Sequence, residues 1–216
     1  MIIYNIDQRS EPWYLAKCGL VTSTRFKSLC AKDKTGAYKD LITNLACEII
    51  TGKMEETYSN ALMEYGIETE PLARKEYEDI IDCEVKTVGF ITPDEDSKYY
   101  SWIGDSPDGL LPDEGVLEIK CPLARTHLEY IEANKLPAEY RHQVQGHLFV
   151  TGLKYCDFMS YVPGMKSFII RVYPDLELFA EFEKRLDQAI KQIQNKIEVY
   201  NKYDLLYENL PDTGRP

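Results

Sequence analysis

The sequence lacks the long apolar runs and the paired cysteines that define several large classes of protein. No apolar run in the 216 residues approaches the roughly 18 residues that a membrane span requires. The first residues carry neither a basic segment nor a long apolar core, so we expect no signal peptide. The six cysteines include no C-x-x-C pair, which argues against a zinc ribbon or an iron–sulfur cluster and favours reduced thiols. We therefore expect a cytoplasmic protein with no membrane partner.

Histidines and nucleotide-binding motifs are also scarce. Of the three histidines, His142 and His147 lie five positions apart, which on a helix places them off a common face and argues against a histidine metal site. The chain has no G-x-x-x-x-G-K-S/T loop and no G-x-S-x-G segment, which argues against ATP use and serine hydrolysis. We find no EF-hand spacing and no internal repeat.

Positive charge is in deficit, since the formal net charge is −11 at pH 7. Affinity for a phosphate backbone comes from clustered Lys and Arg, so this balance argues against a surface that coats nucleic acid. It does not exclude a nuclease, because an enzyme that takes DNA into a narrow channel needs positive charge only along that channel.

The length and the hydrophobic pattern predict one α/β domain over residues 1–216 with a mixed central β-sheet flanked by helices. Helical periodicity predicts N-terminal helices within 10–82, with an interruption near Gly66 and Pro71, packed on a sheet core over 84–173. A C-terminal helix follows over about 175–200. Within the core we predict strands over 84–91, 98–103 and 116–121, helices over 123–133 and 139–150, and a hairpin of 156–162 with 166–172. The tail over 209–216 is turn-like, and we expect it to be mobile.

Chemistry concentrates in the segment Trp102–Pro122, which reads WIGDSPDGLLPDEGVLEIKCP. Asp108 lies in a Ser-Pro-Asp-Gly turn, and ten positions later Glu118-Ile-Lys120 continues an apolar strand. Because side chains alternate along a strand, Glu118 and Lys120 share one face. The turn residues between Asp108 and this strand predict a hairpin that brings the two carboxylates and the ammonium to one point.

Two carboxylates held close together repel each other, and a hard divalent cation such as Mg²⁺ relieves that repulsion. A bound cation also activates water and neutralises charge on a phosphate oxygen, while Lys120 could stabilise developing negative charge. This arrangement suits hydrolysis of a phosphodiester. The same residues also fit ordinary surface turns with an ion pair on an edge strand, or a structural Ca²⁺ or Mg²⁺ site at the acidic turns. The segment alone leaves these alternatives open.

Four motifs in order resemble the lambda-exonuclease (YqaJ-like) viral recombination nucleases of the PD-(D/E)XK superfamily. They are EPWYLAK with GLVTST near the N-terminus, GDSPDGL, GVLEIKCP, and EYRHQVQGHLFVTG. The resemblance extends over roughly Trp13 to Val162 and implies a restriction-endonuclease-like core. It also implies Mg²⁺-dependent, 5′-to-3′ digestion of one strand of duplex DNA from an end, which leaves 3′ single-stranded tails for annealing.

The resemblance also assigns roles to individual residues. Asp108 and Glu118 would be metal ligands together with the backbone carbonyl of Ile119, and the metal would be Mg²⁺, with Mn²⁺ as a substitute. Lys120 would be the catalytic lysine. Glu70 matches the family's upstream glutamate, and Gln143 matches its positioning glutamine, accompanied by Tyr140. Gln145 is expected to be only a helix neighbour.

A pocket for the 5′-phosphate of DNA is implied at Lys17, Thr24, Ser106 and Arg125. Two positions depart from the family pattern, since Lys17 stands where arginine is common and Thr24 stands where serine is common. Lysine gives up the bidentate fork of arginine. Arg125 is one position away from a gapless match to the family's basic residue.

The partners implied are double-stranded DNA ends, a single-strand annealing protein and further copies of the chain in a homotrimer. Two alternatives remain at the sequence level. One is a structure-specific or site-specific endonuclease of the same superfamily, and the other is a DNA-binding module that has lost catalysis. Retention of Asp108, Glu118 and Lys120 together argues against the second.

Overall fold

The computed structural model describes residues 1–54 and 61–203 of the chain. Its helices are α1 (Glu11–Lys17), α2 (Phe26–Leu29), α3 (Gly36–Thr51), α4 (Ala61–Ile81), α5 (Ala124–Ala133), α6 (Arg141–Thr151) and α7 (Leu176–Lys202). Its strands are β1 (Ile2–Tyr4), β2 (Val21–Thr22), β3 (Phe90–Thr92), β4 (Ile103–Gly104), β5 (Gly109–Leu111), β6 (Gly115–Lys120), β7 (Tyr155–Ser160) and β8 (Phe168–Val172). Short 3₁₀ turns at Ser23–Arg25 and Ala138–Tyr140 precede α2 and α6.

A four-stranded mixed sheet in the order β5-β6-β7-β8 forms the centre of the fold. β5 and β6 make an antiparallel hairpin in which Gly109 pairs with Leu117. β6 and β7 run parallel, and the connection between them contains α5 and α6, as a parallel crossover requires. β7 and β8 are antiparallel. Two further pairs, antiparallel β1-β3 and parallel β2-β4, lie outside this sheet, and the predicted mixed α/β class is confirmed.

Most predicted helices are present and end where the sequence indicates. Ser10 caps α1 by accepting a hydrogen bond from the Trp13 backbone N–H. α3 and α6 both end at a glycine in the left-handed conformation, Gly52 with φ 67° and Gly152 with φ 69°. Thr22-Ser23-Thr24 followed by RFKSLCA predicts a capped helix over 25–31, but Thr22 makes no side-chain capping bond and only Phe26–Leu29 is α-helical.

α4 continues through Pro71 as one helix, although Gly66 and Pro71 interrupt its apolar pattern. Proline removes the bond to the carbonyl four residues earlier. Here both Pro71 and Ile67, whose carbonyl loses that bond, are exposed, so water can replace the missing donor.

The strand prediction over 98–103 was wrong except at its last residue, and that over 84–91 is confirmed only at Lys86, which pairs with Leu110, and at its end. Residues 97–102 form successive turns, with Tyr100 N–H donating to the Ser97 carbonyl and Trp102 N–H donating to the Tyr99 carbonyl. The Tyr99 hydroxyl bonds the Glu183 carbonyl and the Asp187 carboxylate on α7. Tyr99 therefore anchors this turn to α7.

The central sheet packs against α4 on one face and against α6 on the other. Leu117 and Ile119 pack against Ala73 and Tyr77 of α4. Val116, on the opposite face of β6, belongs to a cluster with α6 residues, among them Val144 and Leu148. Because faces alternate, Glu118 and Lys120 also lie on the α6 side.

A separate core joins α2, α3 and α7 through residues such as Phe26, Leu45 and Leu186. The apolar stripe of the C-terminal helix therefore serves packing, as expected. No helix in the parts of the chain that the structure describes is both long and apolar enough to cross a membrane. The prediction of a mobile tail over 209–216 lies outside the described residues.

Candidate active site

The β5–β6 hairpin brings Asp108, Glu118 and Lys120 together. Asp108 immediately precedes β5, and its Oδ2 accepts a 2.6 Å hydrogen bond from the Ile119 backbone N–H on β6. Lys120 Nζ forms an ion pair with Glu118 Oε1 on the shared face of the strand. The two carboxyl groups and the ammonium are therefore close together, as expected. The register of the β5–β6 hairpin brings them there.

Glu118 is 2% exposed, and side chains of the protein engage both of its carboxylate oxygens. Gln143 Nε2 donates to Oε1 over 2.5 Å. His147 Nε2 lies 2.8 Å from Oε2, an ion-pair contact without hydrogen-bond alignment. Gln143 and His147 are four residues apart on α6, so one helical turn presents both to the strand.

His147 also contacts Asp105, so that Glu118, His147 and Asp105 form a buried row of charged side chains. The sequence did not predict this row. The Nδ1 of His147 lies 2.8 Å from Asp105 Oδ2, and Asp105 is fully buried. Burial alone would lower the pKa of His147, but Asp105 and Glu118 together raise it to about 10. The imidazolium thus links two carboxylates. The four-residue spacing between Gln143 and His147 was the available signal, since residues at that spacing share a helix face.

The two central carboxyl groups, Asp108 and Glu118, have pKa values that are shifted in opposite directions. Burial, and then the charge of Glu118, raise the pKa of Asp108 to about 8. Burial also opposes ionisation of Glu118, but Lys120 and His147 outweigh it and hold the pKa of Glu118 at about 2. Burial lowers the pKa of Lys120, whereas Glu118 and Asp108 raise it by more, so the net shift is upward. Glu118 and Lys120 are therefore charged at neutral pH.

The donors at this point fit a hard divalent cation. The described residues contain no cluster of three or more His, Cys, Asp and Glu side chains arranged around a metal position. A backbone oxygen would therefore have to complete the set, and the Ile119 carbonyl is suited, since a strand residue directs its N–H and C=O to the same edge. Burial, and then the charge of Glu118, oppose ionisation of Asp108, so ionising both carboxyl groups would place poorly compensated negative charge here. A cation would compensate it.

Next to these residues is a cavity of about 460 Å³. Its lining consists of Arg9, Gly66, Ile67, Glu70, Asp108, Ile119, Lys120, Cys121, Pro122 and Tyr140. Glu70 is 17% exposed and is held by two arginines that sequence reasoning missed, with Arg9 at 3.1 Å and Arg74 at 2.5 Å. Lys120 Nζ lies 5.3 Å from the centre of the Tyr140 ring. The structure thus places Glu70 and Tyr140 beside the carboxylate pair.

Gln145 lies outside this group and joins α6 to the start of α7. Its amide donates to the Tyr173 carbonyl and accepts from the Asp175 N–H, each over 2.8 Å. His127 is also structural, with ring nitrogens bonded to Ser160 Oγ and the Lys166 carbonyl. These contacts leave Gln143 and His147 as the α6 side chains that reach Glu118.

Two of the proposed phosphate-binding residues meet around Trp13. Lys17 Nζ lies 3.6 Å from the centre of the Trp13 ring, and Trp13 Nε1 donates to Ser106 Oγ over 2.7 Å. Burial, and then the charge of Arg25, lower the pKa of Lys17 to about 8. A partly buried ammonium over an aromatic ring, beside further positive charge, is a position that a phosphate would stabilise.

The other two candidates are less tightly connected. Thr24 is exposed, and its hydroxyl lies 3.3 Å from that of Thr22. The Arg125 side chain is 91% exposed and forms an ion pair with Glu129 on α5. The contacts of Arg125 include none of the other candidate residues.

Comparison with known proteins places this geometry in a family. Residues 12–154 match the YqaJ-like viral recombinase domain. Two crystal structures of the alkaline exonuclease LHK-Exo from Laribacter hongkongensis are 34% identical to the chain, and each alignment covers 89% of this chain and 97% of that one. The TM-score is 0.80 for the complex with dAMP and 0.79 for the other structure.

A phage-related exonuclease from Haemophilus somnus shares the fold at 15% identity and a TM-score of 0.61, with 91% of this chain and 97% of that chain aligned. Comparison with curated protein sequences gave no match. The similarity to alkaline exonuclease structures confirms the restriction-endonuclease-like core. Proteins of this family are metal-dependent nucleases. The chain therefore belongs to the YqaJ-like viral recombinase family, and it is a nuclease with a role in recombination.

Proposed function

We propose that this nuclease is a Mg²⁺-dependent exonuclease that digests one strand of linear duplex DNA in the 5′-to-3′ direction and leaves 3′ single-stranded tails. The convergence of Asp108 and Lys120 on one cavity, with the buried Glu118 paired to Lys120, carries the proposal. Further support comes from the similar LHK-Exo, which is described as an alkaline exonuclease and was crystallised with dAMP. A nucleoside monophosphate is the product expected when an exonuclease removes residues singly from an end.

Asp108, Glu118 and the Ile119 carbonyl would hold the cation. These are hard oxygen donors, which suit Mg²⁺ and also accept Mn²⁺. When bound, the cation supplies charge neutralisation at the phosphate and activation of water.

The side chains around the cation position have separable tasks. Since the pKa of Lys120 is raised, its ammonium stays protonated and donates hydrogen bonds to developing negative charge rather than accepting a proton. Gln143 fixes the Glu118 carboxylate from α6. Glu70 offers a carboxylate at the cavity wall that can orient water.

Selection of an end is assigned to the residues around Trp13. Lys17 would contribute charge to a 5′-terminal phosphate, while Ser106 and Thr24 would contribute hydroxyl donors. Arg125 would be a fourth contact with the DNA. Its guanidinium is held only by an exposed ion pair with Glu129, and such a pair is weak enough for a DNA phosphate to replace it. Assembly into a homotrimer and cooperation with a single-strand annealing protein belong to the same proposal. Light scattering of the purified chain tests the first, and co-purification tests the second.

Matched DNA substrates test the activity. A linear duplex labelled at its 5′ end should release labelled mononucleotide in the presence of Mg²⁺ and stay intact in EDTA. A covalently closed plasmid should stay intact in both conditions. Nicking of the closed plasmid would establish an endonuclease instead, and binding without cleavage of any substrate would establish an inactive DNA-binding module.

The carboxylate pair provides the first prediction. Asp108→Asn should abolish cleavage and leave the fold intact, because it removes a negative ligand yet keeps an oxygen to accept the Ile119 N–H bond. The rate on linear duplex and the thermal melting curve are the measurements. Asp113→Asn is a matched control in the exposed turn of the same hairpin, where φ is 58° and asparagine is well tolerated. Full activity of Asp108→Asn would refute the metal assignment.

A further inference from the structure

Arg9 combines a strained backbone with a position at the wall of the catalytic cavity. It lies between β1 and α1 with φ 65°, a conformation that non-glycine residues rarely adopt. The neighbouring side chains hold this loop, since Gln8 Nε2 donates to the carbonyls of Val88 and Pro107. The loop directs the Arg9 side chain towards the cavity, where it lines the wall with Glu70 and Asp108.

Both oxygens of Glu70 are occupied by arginines, and these two arginines are not equivalent. Arg74 bonds Glu70 Oε1 and also donates to the Asp108 carbonyl, with its side chain 20% exposed. Arg9 bonds Glu70 Oε2 alone, over 3.1 Å, and its side chain is 44% exposed. Arg9 is therefore the partner that can leave Glu70 without breaking a second contact.

The charge of Arg9 reaches the residues around Trp13 as well as the cavity. It is one of the positive charges that lower the pKa of Lys17. A DNA strand with its terminal phosphate at Lys17 and its next phosphate in the cavity would therefore pass Arg9. A guanidinium in that position can form charge-assisted, bidentate hydrogen bonds with a phosphate.

We propose that Arg9 binds the DNA backbone between the 5′-terminal nucleotide and the scissile phosphate, and that this exchange releases one oxygen of Glu70 to the cavity. The inference rests on the proposed exonuclease function and adds a substrate-binding residue to it. In the free protein Arg9 pairs with Glu70, and on DNA binding a phosphate replaces that carboxylate as its partner.

Steady-state kinetics of Arg9→Gln on linear 5′-phosphoryl duplex test the exchange. We expect KM to rise about tenfold or more, the scale of one charge-assisted hydrogen bond, with a smaller effect on kcat. The salt dependence of DNA affinity, measured by anisotropy in EDTA, should fall by about 0.9 in the slope of log K against log salt, as for one lost phosphate contact. Arg9→Lys should restore part of the affinity, since it keeps the charge and loses the fork.

A second variant separates binding from folding. Arg9→Gly relieves the left-handed backbone, so its melting temperature should equal or exceed that of the wild type while KM rises as in Arg9→Gln. Lys75→Gln is the charge-matched control, because Lys75 is an exposed α4 residue paired with Asp79 and lies outside the cavity lining.

Wild-type KM and salt slope in Arg9→Gln would overturn the inference and leave the exonuclease proposal standing. Equal losses in Lys75→Gln would also overturn it, since the effect would then be one of general charge. A wild-type protein that leaves linear duplex intact would instead refute the proposed function, and with it this inference.

Discussion

Lys120 is the residue whose environment most directly specifies a chemical task. Its ammonium is fixed by Glu118 and lies against the Tyr140 ring, at the wall of the cavity. Lys120→Ala should therefore lower kcat by roughly a hundredfold, the scale of losing one preorganised electrostatic stabiliser, with little change in DNA affinity. Single-turnover rates and anisotropy measure the two quantities. An effect confined to KM would reassign Lys120 to substrate binding.

Lys17 predicts a pH dependence of end selection. Burial and Arg25 lower its pKa from 10.5 to about 8, so the ammonium that would hold a 5′-phosphate is present below about pH 8 and lost above it. The ratio of digestion rates on 5′-phosphoryl and 5′-hydroxyl duplexes should fall as pH rises through this range. Lys17→Ala should reduce the ratio at neutral pH and remove its pH dependence. A wild-type ratio of one at every pH would place the phosphate elsewhere.

The same shift has a definite sign for stability. The unfolded chain holds the Lys17 proton up to 10.5, whereas the folded chain releases it near 8, so the unfolded state binds more protons between these values. The contribution of this group to the free energy of unfolding is therefore least favourable below about pH 8 and improves as pH rises towards 10.5. A phosphate bound to the ammonium would reverse part of that penalty.

The helix α6 acts as a unit, because one of its turns supplies both Gln143 and His147 to Glu118. His147→Gln should lower activity at limiting Mg²⁺ by about tenfold to a hundredfold, the range found when a residue that orients a metal ligand is changed. The measurement is the Mg²⁺ concentration that gives half-maximal rate, alongside the melting curve. His142→Gln on the same helix is the control, since that ring lies towards Phe182. An unchanged Mg²⁺ requirement in His147→Gln would limit its role to folding.

Elements with strong local signals could be predicted from the sequence. The helix predicted over 139–150 corresponds to α6, which ends at Gly152, and the β5–β6 hairpin followed from its turn residues. The segment 98–103 could not, because its aromatic pattern is shared by strands and by turns anchored to a distant helix. Only tertiary contact decides between them.

The residues of the candidate site also differ in how well the sequence predicts their positions. Asp108, Glu118 and Lys120 are close in sequence, so one hairpin sufficed to predict their meeting. Arg9 reaches Glu70 across a contact that local patterns do not encode, and the importance of Asp105 appears only once α6 is placed on the sheet. Arg74 is different, because it lies four residues after Glu70 on α4, and that spacing was a local signal for the pair.

For the molecule as a whole, the placement of Glu70 depends on how α4 is attached to the central sheet. The Tyr77 hydroxyl donates to Asp157 Oδ2 on β7 over 2.6 Å, and Arg171 on β8 binds both Asp157 oxygens. Tyr77 is fully buried. This network connects one helix to two strands on the α4 side of the sheet.

Tyr77→Phe should lower the free energy of unfolding by about 1–2 kcal/mol, since a buried hydrogen bond is lost while Arg171 still satisfies Asp157. Urea denaturation measures the change. Activity per folded molecule should stay close to wild type at low temperature. Tyr155→Phe is a matched control, because its hydroxyl bonds the Pro112 carbonyl at an exposed site and its loss should cost less. A larger loss in Tyr155→Phe would contradict the assignment.

The occupied carboxylates of Glu118 and Glu70 bear on how the enzyme rests between substrates. Lys120, Gln143 and His147 engage the first, and two arginines engage the second. The carboxylates of Glu118 and Glu70 are thus paired before any cation binds, and the third carboxyl group, Asp108, has a pKa raised to about 8, which keeps it largely protonated at neutral pH. We therefore expect the enzyme to bind Mg²⁺ weakly in the absence of DNA. Mg²⁺ would then bind only once a DNA end is bound. A large amount of free enzyme could therefore be present in a cell without depleting the Mg²⁺ that other phosphate-transfer enzymes use.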